Sequence, residues 1–246
     1  MKTEERIQYI IEWIKQYCNS IKYQPVTLVI GVSGGVDSAV TSTLSAKTGL
    51  KTIAVSMPIK QNHEQHELSI KHLEWLKSNF NNVCTKVISL DNVFSSFKET
   101  MYDFKNNLAF ANSRSRLRMA TLYQIAQSNN GLVVGTGNKV EDFGVGFYTK
   151  YGDGGVDISP LADCTKTQVW EIASKMSIMK DIIDAQPTDG LWDDSRNDER
   201  QLGLTYKQIE EAMDNTESKH YEKYMQIRKT NLHKMKPIPV CLFEDD

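Results

Sequence analysis

Eight consecutive residues, Gly31-Val32-Ser33-Gly34-Gly35-Val36-Asp37-Ser38, carry the clearest chemistry in this chain. Gly34 and Gly35 let a backbone approach a ligand closely, and successive N–H groups at a helix start form a nest for an anion. Ser33 and Ser38 add hydroxyl donors, and Asp37 places a carboxylate where a phosphate-bound Mg2+ could sit. The chemistry is therefore phosphate binding with a divalent cation at hand. No Gly-Lys-Ser/Thr follows, so the loop is not a Walker A loop. Neither Gly31 nor Gly135-Thr136-Gly137 completes G-x-G-x-x-G, so it is not a Rossmann fingerprint.

The elements that must hold this loop can be read on either side of it. Val26, Leu28, Val29 and Ile30 read as a buried strand, and Ala39 to Lys47 as the helix that follows, closed by Gly49. Ile53-Ala54-Val55 is a second strand, Val83 to Leu90 a third, and Leu132-Val133-Val134 a fourth, with helical segments between them. Asp91 is expected to cap the helix after the third strand, and Asn107 to Asn129 reads as one long helix. Alternating strands and helices predict an α/β fold, a doubly wound and mainly parallel sheet flanked by helices, in a single domain over residues 1–246. In such sheets ligands lie beyond the carboxyl ends of the strands. That places Ser56 to Gln61 and Gly135-Thr136-Gly137-Asn138-Lys139-Val140-Glu141 near the first loop.

Other polar groups need weighing. The stretch Gly146 to Leu161 holds four glycines with Asp153 and Asp157, and so much specific pattern reads as a site rather than a spacer. Arg114, Arg116 and Arg118 alternate, so they cannot share one helix face, and composition alone makes them a solvated surface. His63 and His66 do not form H-E-x-x-H and read as a solvated helix start. From Pro187 to Arg200 hydrophobic periodicity vanishes, as in a mobile lid, and Leu204 to Met213 and Lys219 to Leu232 are closing helices.

The chain has 246 residues, 40% of them hydrophobic, enough for one well-filled core. A net charge of −2 argues against a broad basic face for nucleic acid. Cys18, Cys84, Cys164 and Cys241 form no C-x-x-C pair, so buried free thiols in a reducing compartment are expected. The charged, amphipathic start is unlike a signal peptide and no run reaches membrane-spanning length, so a cytoplasmic protein with no membrane partner is expected.

The Ser-Gly-Gly-x-Asp-Ser string resembles the pyrophosphate-gripping loop of the ATP pyrophosphatase superfamily, whose members cut ATP between the α and β phosphates and share an adenine nucleotide alpha hydrolase-like fold. Further strings narrow the resemblance: Asn112-x-x-x-Arg116-x-Arg118-Met119, Gly135-Thr136-Gly137-Asn138 with Glu141, Thr149-Lys150-Tyr151-Gly152-Asp153-Gly154-Gly155-x-Asp157, Pro187-Thr188, Asp198-Glu199 with Leu202-Gly203, and His233-Lys234 before prolines. In this order they resemble the ammonia-dependent NAD synthetases over most of the chain. Two departures touch the lid contacts: a short segment between Thr188 and Asp198, and Met235 where the family usually has Arg.

The resemblance implies ATP-dependent amidation of deamido-NAD to NAD, the final step of NAD biosynthesis, through an acyl-adenylate with release of pyrophosphate and AMP. It implies that Gly31, Val32, Ser33, Gly34, Gly35, Val36, Asp37 and Ser38 bind ATP, with Thr136, Lys166 and Thr188. Asp37 and Glu141 would hold Mg2+, and Arg116, Lys150, Asp157, His233 and Lys234 would hold deamido-NAD. Lys166 would act catalytically at phosphate, and Asp153 is assigned to orienting or deprotonating ammonia. Glutamine-using relatives carry an extra glutaminase domain, and the residues before the first strand leave no room for one, so free ammonia is the expected donor. The resemblance also implies a homodimer, for which the apolar face Ile7, Ile10, Ile11, Ile14 and Tyr17 and the segments around Trp75 and Tyr123 are offered as support. Two rivals are weighed. A tRNA thiolase would show paired catalytic cysteines or an RNA-binding appendage, and a nucleotide-binding regulator would have lost Asp37 or Glu141.

Overall fold

The strand that leads into the glycine loop lies inside the sheet. The computed structural model describes residues 1–21, 26–61, 63–188, 190–192 and 197–243. In it β1 (Thr27–Gly31) is flanked by β2 (Thr52–Ser56) and β4 (Gly131–Val133), and β3 (Val83–Val87) pairs with β2, giving the order β3-β2-β1-β4. Every pairing is parallel; Val29 lies beside Ile53 on one side and Val133 on the other. The strand order reverses between β1 and β4, and the crevice beyond their carboxyl ends is where such sheets bind ligands.

Helices cover both faces, which explains the apolar run Leu28-Val29-Ile30 in the middle of β1. Leu28 and Ile30 pack with Ile14 of α1 (Thr3–Ser20), Leu44 of α2 (Val36–Lys47) and Ile172 of α6 (Lys166–Lys175). Val29 packs on the other face with Phe94 of α4 (Asp91–Thr100) and Met119 and Leu122 of α5 (Asn107–Gln127). The helix α3 (His63–Asn79) crosses between β2 and β3. After α6 come α7 (Lys180–Asp184), α8 (Asp198–Leu202), α9 (Tyr206–Asp214) and α10 (Tyr221–Met235). A separate apolar cluster of Val140, Val145, Leu202, Tyr206, Ile209 and Tyr224 ties this last part of the chain to residues following β4. The α/β, doubly wound, parallel architecture is as expected. No helix among the described residues is long and apolar enough to cross a membrane.

Four details correct the sequence reading. Ile7, Ile10, Ile11 and Ile14 are buried in the protein's own core, so this face of α1 is not spare surface for a second copy. Tyr17 is the exception, 40% exposed and stacked on Trp13. Only Cys18 and Cys164 are buried, whereas Cys84 and Cys241 are exposed, because Cys84 lies on edge strand β3 and Cys241 on the extended tail. β3 stops at Val87, since Leu90 already serves as N-cap of α4, and Asp91 accepts from the Lys60 backbone N–H rather than capping its own helix. The expected lid lies partly outside the described residues; its later part includes α8.

Candidate active site

A cleft of about 1170 Å³ opens at the carboxyl ends of β1 and β4. Its floor is the loop from Gly31 to Ser38, every residue of which lines it. Gly34 has φ of +95°, and a side chain there would run into the Gln65 carbonyl of α3, so the turn requires glycine. The hydroxyls set the loop's shape: Ser33 N–H donates to Ser38 Oγ at 3.2 Å, Gly35 N–H to Ser33 Oγ at 3.2 Å, and Ser38 Oγ–H to the Gly35 carbonyl at 2.9 Å. Asp37, in the first turn of α2, points from this floor toward the second loop.

That second loop begins with Gly135, whose N–H donates to the Ile158 carbonyl at 2.7 Å. Asn138 is fully buried and organises the junction. Its Oδ1 accepts from Val140 and Glu141 N–H, capping a π-helical turn over Lys139–Val145, while its Nδ2 donates to Asp37 Oδ1 at 3.0 Å. Single π turns of this kind are common at functional sites, since they re-aim a side chain within a helix. Here the turn delivers Glu141 opposite Asp37.

Lys166 joins the two carboxylates. It stands at the first position of α6, behind a reciprocal cap made by Thr165 and Gln168, and is 2% exposed. Its Nζ donates to Asp37 Oδ2 at 2.5 Å and to Glu141 Oε1 at 2.9 Å. Tyr206 Oη donates to the same Glu141 oxygen at 2.5 Å and approaches Asp198 Oδ2 at 3.3 Å. Burial would lower the Lys166 pKa, but the charges of Asp37 and Glu141 hold it above the usual lysine range, so it is an ammonium. Burial pushes Asp37 up, with Lys166 opposing. Burial pushes Glu141 the same way, but the Lys166 charge and the Tyr206 hydrogen bond leave it below the ordinary carboxylate value. One ammonium between two carboxylates leaves the cluster short of positive charge.

The outer wall comes from the 146–158 loop and the end of α10. Asp153 is open to the cleft, and its Oδ1 accepts from Ser115 Oγ–H at 2.7 Å and Thr149 N–H at 3.0 Å. Burial raises the Asp153 pKa, the hydrogen bonds oppose this, and the charge of Glu141 adds to it. Lys234 Nζ donates to the Tyr148 carbonyl at 2.7 Å and lies over the Tyr148 ring; burial lowers its pKa, with Asp153 and Asp142 opposing. Arg116 Nε–H donates to the Lys150 carbonyl at 3.1 Å.

Thr136, Glu141, Lys166, Thr188, Arg116, Lys150, Asp153, His233 and Lys234 all line the cleft. Asp157 does not. Its Oδ2 accepts from Val133 N–H at 2.7 Å and its Oδ1 from Tyr123 Oη–H at 3.0 Å, so both oxygens staple the loop to β4 and α5. Three residues escaped the sequence reading. Asn138 sits in a recognisable Gly-Thr-Gly-Asn string and could have been read as a helix cap. Tyr206 and Ser115 carried no local signal, because their partners Glu141 and Asp153 are 65 and 38 residues away.

The model of the NAD synthase family matches residues 6–240. An NH3-dependent NAD+ synthetase of Mesoplasma florum is 37% identical over 85% of this chain and 84% of its own. One of Carboxydothermus hydrogenoformans is 38% identical over 84% of each. Among solved structures, an NMN synthetase from Francisella tularensis superposes with a TM-score of 0.90 at 32% identity, covering 99% of this chain and 100% of the other. With a family model spanning residues 6–240 and relatives this similar over most of their length, the chain belongs to the NAD synthase family, the ATP-using ligases of NAD biosynthesis.

Proposed function

We propose that the cleft brings ATP and deamido-NAD together on the Asp37–Lys166–Glu141 cluster. The reaction is the ATP-dependent amidation of deamido-NAD to NAD with ammonia. In the first step an oxygen of the nicotinate carboxylate attacks the α-phosphorus of ATP, and the bond to the β-phosphate breaks, giving an acyl-adenylate and pyrophosphate. In the second, the nitrogen of ammonia attacks the acyl carbon, AMP leaves with the carboxylate oxygen, and a proton is lost from nitrogen.

The loop from Gly31 to Ser38 holds the leaving phosphates with its backbone N–H groups, and Thr136 and Thr188 contact the nucleotide. Lys166 meets the phosphate charge that builds as the bond to the α-phosphorus forms. The observation that carries this reading is the convergence of Asp37 and Glu141 on one ammonium at 2.5 and 2.9 Å. Their donor set fits Mg2+, which takes one or two carboxylates and completes its shell with phosphate and water: Asp37 and Glu141 supply two hard oxygens. Bound there, Mg2+ would neutralise phosphate charge.

Arg116, Lys150 and Lys234, with His233 beside them, supply the wall for the dinucleotide. Asp153 receives the proton from ammonium: it lines the cleft, its Oδ1 is held by Ser115 and Thr149, and its raised pKa makes it the better base. The chain acts as one unit over residues 1–246, a cytoplasmic homodimer, its second copy meeting the exposed Val93, Tyr102, Phe104 and Leu108 near the start of α5 rather than α1.

The test mixes enzyme, ATP, Mg2+ and deamido-NAD with ammonium or glutamine. NAD, AMP and pyrophosphate form with ammonium and little product forms with glutamine; ADP as product would overturn the reading. The 32% identity and full-length match to the Francisella NMN synthetase favour a second reading, in which the nicotinate carboxylate belongs to a mononucleotide. The ratio of kcat/KM for deamido-NAD and nicotinate mononucleotide decides between them.

A further inference from the structure

The carboxylate pair already contains a cation, and it belongs to the chain. Lys166 reaches one oxygen of each carboxylate, and the aromatic rings of Tyr206 and Trp170 lie 4.8 and 5.9 Å from its Nζ. The remaining contacts fix the carboxylates rather than the lysine: Asn138 Nδ2 holds Asp37 and Tyr206 Oη holds Glu141. The pair is thus kept in place by neutral donors, while its charge is met in part by one ammonium at the end of a long side chain. An ammonium and a divalent ion drawn to the same two carboxylate oxygens compete for them and repel each other.

We propose that Lys166 is the resident cation of the Asp37/Glu141 pair, excluding free Mg2+ and yielding its place only when Mg2+ arrives with the phosphates of ATP. This rests on the reading that Asp37 and Glu141 hold the metal. The phosphates supply what Lys166 loses on leaving the carboxylates, so the exchange conserves charge pairing at each end. Metal and nucleotide therefore load as one unit. The device also lets the buried carboxylates fold without metal, because neither is left unpaired.

The experiment titrates full-length enzyme with MgCl2 alone, and with MgCl2 plus a non-hydrolysable α,β-methylene ATP, following heat of binding and thermal unfolding at constant ionic strength. Wild type responds to Mg2+ only with the nucleotide. Lys166→Met binds Mg2+ alone at least about tenfold more tightly than wild type and is stabilised by it. Lys166→Arg, which keeps the charge, still ignores Mg2+ alone. If Lys166→Met does not fold unaided, recovery on refolding with Mg2+ but not with Na+ carries the same meaning, and failure to recover overturns the proposal. Wild type binding free Mg2+ as tightly as Lys166→Met also overturns it. Full turnover by wild type without any divalent cation would instead refute the metal reading itself, so the two failures are distinguishable.

Discussion

Removing the Tyr206 hydroxyl is the sharpest perturbation of the site that leaves its packing intact. Tyr206→Phe keeps a 1% exposed ring, its edge-on contact with Trp170 at 5.9 Å and the cap of α9 by Thr205. It deletes only the 2.5 Å hydrogen bond to Glu141 and the longer approach to Asp198. Hydrogen bonds to charged groups contribute about 1.5–3 kcal/mol, and Lys166 still holds the same oxygen, so the lower end, about 1.5 kcal/mol, is expected. For a chain of this size that corresponds to a Tm lowered by about 3–6 °C. The functional effect should exceed the stability effect, because partners that orient a metal carboxylate are worth about 10–100-fold in metal affinity or activity. Burial, with the charges of Glu141 and Asp198 added, drives the Tyr206 pKa far upward, so the hydroxyl is a donor at every working pH. The assay is steady-state turnover at varied Mg2+ with nucleotide and deamido-NAD saturating, beside a thermal unfolding scan. The Mg2+ needed for half-maximal rate should rise about tenfold or more, with KM for deamido-NAD unchanged. An unchanged Mg2+ dependence, whatever the Tm, would refute the assignment of Glu141 to the metal.

Two other outcomes follow from the geometry. His72 is fully buried with Nε2 at 2.9 Å from Ser42 Oγ, and burial lowers its pKa to about 4, so the unfolded chain binds the extra proton between pH 6.5 and 4. Stability contributed by neutral His72 is present above pH 6.5 and is lost toward pH 4, by about 3 kcal/mol. Asp37 and Asp153, whose carboxyls are raised, slope the opposite way, so the difference in unfolding free energy between wild type and His72→Gln isolates the histidine; a pH-independent difference would contradict this. Asp157→Asn should cost about 1–3 kcal/mol in denaturant unfolding by weakening the staple to Val133 and Tyr123, with the substrate KM changed little; a large KM effect without loss of stability would instead place Asp157 at the substrate.

The sheet was legible because a strand buried on both faces reads as a near-continuous apolar run, as Leu28 to Ile30 does, and because glycine pairs at strand ends have few other uses. The turn at Gly34 and Gly35 was legible for the same local reason. What local patterns could not carry was side-chain direction. Asp157 lies in the most specific string of the chain yet turns its carboxylate back onto the sheet, and the isoleucines of α1 find their burial within the chain. Nor could spacing show that Lys166 meets Asp37, 129 residues earlier, and Glu141 on one ammonium, because that contact exists only once β1, β4 and α6 are side by side.

The proposed reaction activates the nicotinate carboxylate as an adenylate in this cleft. Deamido-NAD labelled with 18O in the carboxylate tests it directly, by mass analysis of products after turnover with ATP and ammonium. One labelled oxygen should appear in the phosphate of AMP and none in pyrophosphate. Label absent from AMP, or present in pyrophosphate or inorganic phosphate, would contradict attack on the α-phosphorus and with it the assignment of roles around Asp37, Glu141 and Lys166.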